Sequence, residues 1–154
     1  MDGSSTAVLA DEETTWQEFR DLVASFTADA ASESGYFAEG WSAKDALAHV
    51  GAWLAEAGAA LEQIRAGTYE RPPRGAEIDE MNTRFLEALR DVPLNEIQAH
   101  AAAARTRMRR AWLELDEPSD EAVLWLAKAG PEHYREHLPR LREWHEEIRG
   151  GAIE

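Results

Sequence analysis

The chain contains no cysteine, which excludes disulfides, thiolate metal ligands and a cysteine nucleophile. Long apolar runs are also missing, and nothing approaches the roughly 20 residues that a membrane helix requires. Lysine is scarce, with only Lys44 and Lys128 against fourteen arginines. Positive charge as a whole is in deficit: 16 Lys and Arg stand against 30 Asp and Glu, a formal net charge of −14. So acidic a surface repels phosphate backbones, which are bound through clustered Lys and Arg, and nucleic acid is disfavoured as a partner. The one basic cluster, Arg105, Arg107, Arg109 and Arg110, is expected to pair with acidic neighbours. The opening MDGSSTAVLADEE has neither a basic n-region nor an apolar h-region, so a secretory signal is not expected and the cytoplasm is the expected location.

What is present fits one domain over residues 1–154 with a single core. Residues 1–10 and 150–154 lie outside the core pattern and are expected to be flexible. The apolar spacing is helical almost throughout. Trp16, Phe19, Val23 and Phe26 recur at steps of three and four and mark one buried stripe. The segment ASESGYFAEG follows, small and polar apart from Tyr36 and Phe37. Ser42 reads as an N-cap with Asp45 as its capping-box partner. From there Leu47, Val50, Leu54, Ala57, Leu61 and Ile64 trace a second stripe that ends near Gly67.

Pro72 and Pro73 mark a connector. A third pattern, Ile78 to Leu89, breaks at Pro93, and Leu94 to Leu115 forms the longest regular stripe. These two read as one interrupted arm. The stretch DEPSDEAVLWLAKAG reads as partly loop, with one or two helical turns around Leu124 and Trp125. Gly130 and Pro131 announce the last helix, which runs through Leu138, Leu141, Trp144 and Ile148 to Gly150 and Gly151. The expected fold is all-α: an antiparallel four-helix bundle with an interrupted third arm.

His133 and His137 are four residues apart and therefore share a helix face. Their stripe continues into Leu141 and Trp144, so both point inward. His49 has apolar neighbours Ala46, Val50 and Trp53 and also lies on a buried face. All three are near the starts of their helices, which the bundle is expected to return to one end. Three neutral imidazoles with an open fourth position suit a divalent metal that retains water, such as zinc, nickel or iron. The spacing also fits a capping or salt-bridged pair, and His49 also fits a core histidine with a backbone partner. His100 and His145 are expected on the flank or surface. Asp45, one turn before His49, is placed either to orient it as an outer ligand support or to complete the Ser42 capping box, and the spacing favours the box. Tyr134 and Asn82 are candidates for pocket lining, with packing the blander role.

Two segments resemble the DinB-like family of helical bundles. EGWSAKDALAHVGAW, residues 39–53, is similar to the family's W-S-x-K-D-x-x-x-H entry into its second helix. GPEHYREHLPRLREW, residues 130–144, resembles its H-x-x-x-H segment followed by tryptophan. The resemblance spans about Trp16 to Trp144. It implies a four-helix bundle with a metal triad that falls on His49, His133 and His137. It also implies chemistry of the thiol S-transferase or hydrolase type on a small-molecule substrate, with a low-molecular-weight thiol as cosubstrate, and frequent homodimers. A non-enzymatic bundle that binds a small ligand, or serves in stress, is the alternative. Since the chain has no cysteine, a reacting sulfur would have to come from the cosubstrate.

Overall fold

A computed structural model describes residues 3–37 and 40–153. Among these residues all regular structure is helical, in seven segments: α1 (Gly3–Ala24), α2 (Ala28–Ala31), α3 (Ala43–Ala66), α4 (Gly75–Leu89), α5 (Leu94–Leu113), α6 (Asp120–Ala129) and α7 (Pro131–Ile153). The local signals are those in the sequence. The Ser42 hydroxyl accepts from the Asp45 amide and the Asp45 carboxylate accepts from the Ser42 amide, closing a capping box on α3. Gly67 ends α3 in the left-handed conformation, φ 77°. Trp16, Phe19, Val23, Leu47, Val50, Leu54, Leu61, Ile97, Met108, Leu138 and Leu141 all enter one core.

Helix directions follow from which residues meet. Gly51 of α3 faces Ala101 of α5, and Gly58 faces Met108, so these two helices run parallel. A Cβ at Gly51 would stand 3.1 Å from the Ala101 backbone, which is how close the two helices approach. Asp11 meets Arg135 and Glu18 meets Arg142, so α1 and α7 are parallel as well. Arg105 reaches Glu12 while Arg109 reaches back to Leu9, so α1 and α5 are antiparallel.

The long helices α1, α3, α5 and α7 therefore run up, down, down and up. This corrects the expected all-antiparallel order. The expected interrupted third arm is corrected too. Helix α4 runs back along α3, with Asn82 at Trp53 and Arg90 at Lys44, and α5 then reverses to follow α3. Without that return helix, two parallel neighbours could not be joined by so short a turn as residues 90–93.

The stretch before Gly130 is more helical than expected. Ser119 caps α6 by accepting from the Ala122 amide, and Ala122, Leu126 and Ala129 bury one face over its ten residues. The real interruption lies between α6 and α7, at Gly130. A Cβ there would lie 2.8 Å from the Leu126 carbonyl oxygen and 3.2 Å from Glu12 Cγ, so only glycine fits. Helical backbone also reaches Gly3 and Ile153, beyond the core stripes, while the ends expected to be flexible include residues 1, 2 and 154, outside the described residues.

Candidate metal centre

The break at Gly130 positions the site. Helices α6 and α7 both pack on α3. Trp125 of α6 shares a surface pocket with Glu56, Ala59, Ala60 and Gln63 of α3, while His133 of α7 meets His49, so α7 starts partway along α3 rather than at its end. This brings His133 and His137, in the first two turns of α7, to His49 in the second turn of α3. The expectation that both helix starts sit at one end of the bundle is therefore replaced by this offset. Ring centroids are 4.8 Å apart for His49 and His133, 5.6 Å for His49 and His137, and 5.0 Å for His133 and His137. One nitrogen from each residue lies within 4.8 Å of the others.

The donor set suits a divalent ion. Nε2 of His133 and Nε2 of His137 are 3.3 Å apart. Two nitrogens at about 2.0–2.1 Å from one tetrahedral zinc would be about 3.3–3.4 Å apart, so the α7 pair already has the required spacing. His49 Nδ1 is buried without a hydrogen-bond partner, a state that costs free energy unless something else satisfies it. The imidazoles are also held neutral, as ligation requires. Burial lowers the His49 pKa to about 4, with His137 adding a smaller push. Burial likewise takes His137 to about 4. For His133, burial and then the neighbouring His49 and His137 lower it to about 2.

Both α7 imidazoles have partners outside the cluster. The Tyr36 hydroxyl lies 2.8 Å from His137 Nδ1, and the His133 ring bonds to the backbone of Ala129, at the end of α6. The Tyr36 contact leaves Nε2 of His137 facing the cluster, 3.3 Å from Nε2 of His133. Burial keeps the Tyr36 phenol protonated, against a smaller opposing pull from Arg140. Its segment is clamped onto α7 by Arg140, which donates to the Tyr36 carbonyl at 2.7 Å and the Gly35 carbonyl at 3.1 Å.

Asp45 does not take the supporting role held open for it, because its carboxylate is committed to the Ser42 amide. Tyr134 is withdrawn from the site and donates to buried Glu12. Asn82 does line the adjoining pocket, where its carbonyl accepts from the Trp53 indole at 2.7 Å. His100 is exposed, and His145 packs edge-on against Phe26, away from the triad.

That pocket, about 450 Å³, opens onto His49 and His133. Its walls come from α3, the 68–74 connector, α4 and α6, and they are mainly apolar. Sequence reasoning missed it because it is assembled from four separate elements. It also missed Tyr36 as a support for His137. The one available signal was an aromatic pair, Tyr36 and Phe37, in an otherwise small and polar loop.

Comparison with protein-family models, with curated proteins and with solved structures found no match. The DinB-like resemblance therefore rests on the sequence itself: residues 39–53 and 130–144, and the asparagine, break and long helix in the stretch between them.

Proposed function

We propose that this chain is a DinB-like protein of the four-helix-bundle type whose His49, His133 and His137 hold one divalent ion, zinc or nickel, at the base of a substrate pocket. The observation that carries the proposal is the meeting of three neutral imidazoles from two helices, two of them already at tetrahedral spacing. The reaction class proposed is thiol S-transfer or hydrolysis. A bound divalent ion would supply Lewis acidity, polarising a substrate group or lowering the pKa of a water or thiol.

The chain's own residues prepare this chemistry in three ways. Tyr36 and the Ala129 backbone fix the orientation of the α7 imidazoles. The apolar walls limit water around the reacting groups and strengthen electrostatic contacts there. The pocket gives a small molecule access to His49 and His133. A sulfur nucleophile would come from a low-molecular-weight thiol, since the chain has none. A cytoplasmic location and a homodimeric state belong to the same proposal. No helix among the described residues is long and apolar enough to cross a membrane.

The test is a screen of metal-loaded protein for thiol-dependent consumption of electrophiles and for ester or amide hydrolysis. Turnover that disappears in His137→Ala supports the enzyme. Binding of small molecules without turnover in any arm would assign the chain to the non-enzymatic ligand-binding bundles instead.

A further inference from the structure

The pocket walls define what kind of molecule they accept. Trp53 and Trp125 contribute indoles, but neither N–H is free. The Trp53 N–H bonds to Asn82, and the Trp125 N–H bonds to the Tyr69 hydroxyl at 2.9 Å. Both indoles therefore offer a ligand only apolar surface, and Pro72, Pro73 and Ile78 add more.

The polar groups left over are mostly donors. Asn82 has used its carbonyl and keeps its NH2. Tyr69 has used an oxygen lone pair and keeps its O–H. Lys128, one of the chain's two lysines, lines the pocket next to Ala129 and has no ion pair among the described residues. The one carboxylate in the lining, Glu121, is seven residues before Lys128 on the same helix, about 10 Å away along its axis. The pocket is thus apolar in the middle, cationic on the side of the histidines and acidic at the far side. On a protein carrying −14, that cation is a local exception.

We propose that the pocket binds flat apolar monoanions, aryl carboxylates in chemical class, with the ring among Trp53, Trp125 and the prolines and the carboxylate toward Lys128. A volume of about 450 Å³ accommodates one or two fused rings with a short substituent. As an assignment of substrate class this rests on the metal-centre reading above, but the binding itself does not require the ion.

The test uses 2-naphthoate and its neutral analogue 2-naphthalenemethanol, titrated calorimetrically into metal-loaded and chelator-treated protein. In both forms naphthoate is expected to bind about five- to tenfold more tightly than the alcohol. Lys128→Gln, an exposed substitution that leaves the core intact, is expected to abolish that preference. Trp125→Ala is expected to weaken both probes about tenfold.

Equal affinities in the wild-type protein would overturn the proposal, as would a preference that survives Lys128→Gln. A preference seen only with metal loaded would also overturn it, because the carboxylate would then be reading the ion and not Lys128. Elemental analysis of the same samples reports on the metal centre separately. The chelator-treated arm therefore decides the pocket assignment even if no ion is found.

Discussion

The hydroxyl of Tyr36 lies 2.8 Å from Nδ1 of His137 and joins residues 101 positions apart in the chain. The bond decides which His137 nitrogen faces the cluster. With Nε2 as ligand, Nδ1 keeps its proton and donates it to the phenolic oxygen. Tyr36→Phe retains the ring and its packing but removes that acceptor. Metal affinity should fall about 10- to 100-fold, the usual scale for losing an outer support of a ligating histidine. Competition with a chelator of known affinity measures it, with circular dichroism confirming an unchanged fold. An unaltered affinity would mean that Tyr36 only fills space.

The metal-free protein should lose stability as pH falls from about 6.5 toward 5. His49, His133 and His137 have folded-state pKa values of about 4, 2 and 4, below the ordinary 6.5 of the unfolded chain. In that window the unfolded state takes up protons that the folded state refuses. The contribution is therefore fully present above 6.5 and is lost as pH drops toward the folded values. Each histidine contributes a slope of up to ~1.4 kcal/mol per pH unit. The carboxylates with lowered pKa, Glu13, Glu62 and Glu77, act below this window. Urea unfolding at pH 5, 6.5 and 8 in chelator gives the slope, and His133→Gln should reduce it. A slope that His133→Gln leaves unchanged would place the effect elsewhere.

Glu12 is fully buried and receives hydrogen bonds from Arg105 at 2.8 and 2.9 Å, from Arg109 at 2.6 Å and from Tyr134 at 2.8 Å. It ties α1 to α5 and α7 beside the Gly130 break. Removing the carboxylate leaves the buried Tyr134 hydroxyl without its acceptor and leaves Arg105 and Arg109 only the half-exposed Glu13, so Glu12→Ala should cost about 3–5 kcal/mol in denaturant unfolding. A cost below about 1 kcal/mol, the scale of an exposed pair, would show that water replaces the carboxylate without difficulty.

Much of the fold was legible in the chain, and the reasons are local. The Ser42–Asp45 box, the Gly67 stop, Pro131 at the first position of α7 and the core stripes depend on residues within one or two turns of each other. The direction of each helix does not. Leu94–Leu115 carries the same stripe whether it runs with or against α3, and the close Gly51–Ala101 and Gly58–Met108 approaches that set the direction are long-range. The three histidines were legible because their stripes point inward. What brings them together was not, since the offset start of α7 depends on how α6 packs. The support of His137 was hidden for the same reason: Tyr36 reaches the site through tertiary contact, while Asp45, the support visible in sequence, is held by its own cap.

The central claim is that His49, His133 and His137 hold one divalent ion. Elemental analysis of protein purified without chelator measures this directly, for the wild type beside His49→Ala, His133→Ala and His137→Ala. The expected result is about one zinc or nickel per chain in the wild type and loss of most of it in each variant. Full retention of metal in the His137→Ala protein, or a wild-type protein that takes up none when zinc and nickel are supplied, would contradict the account.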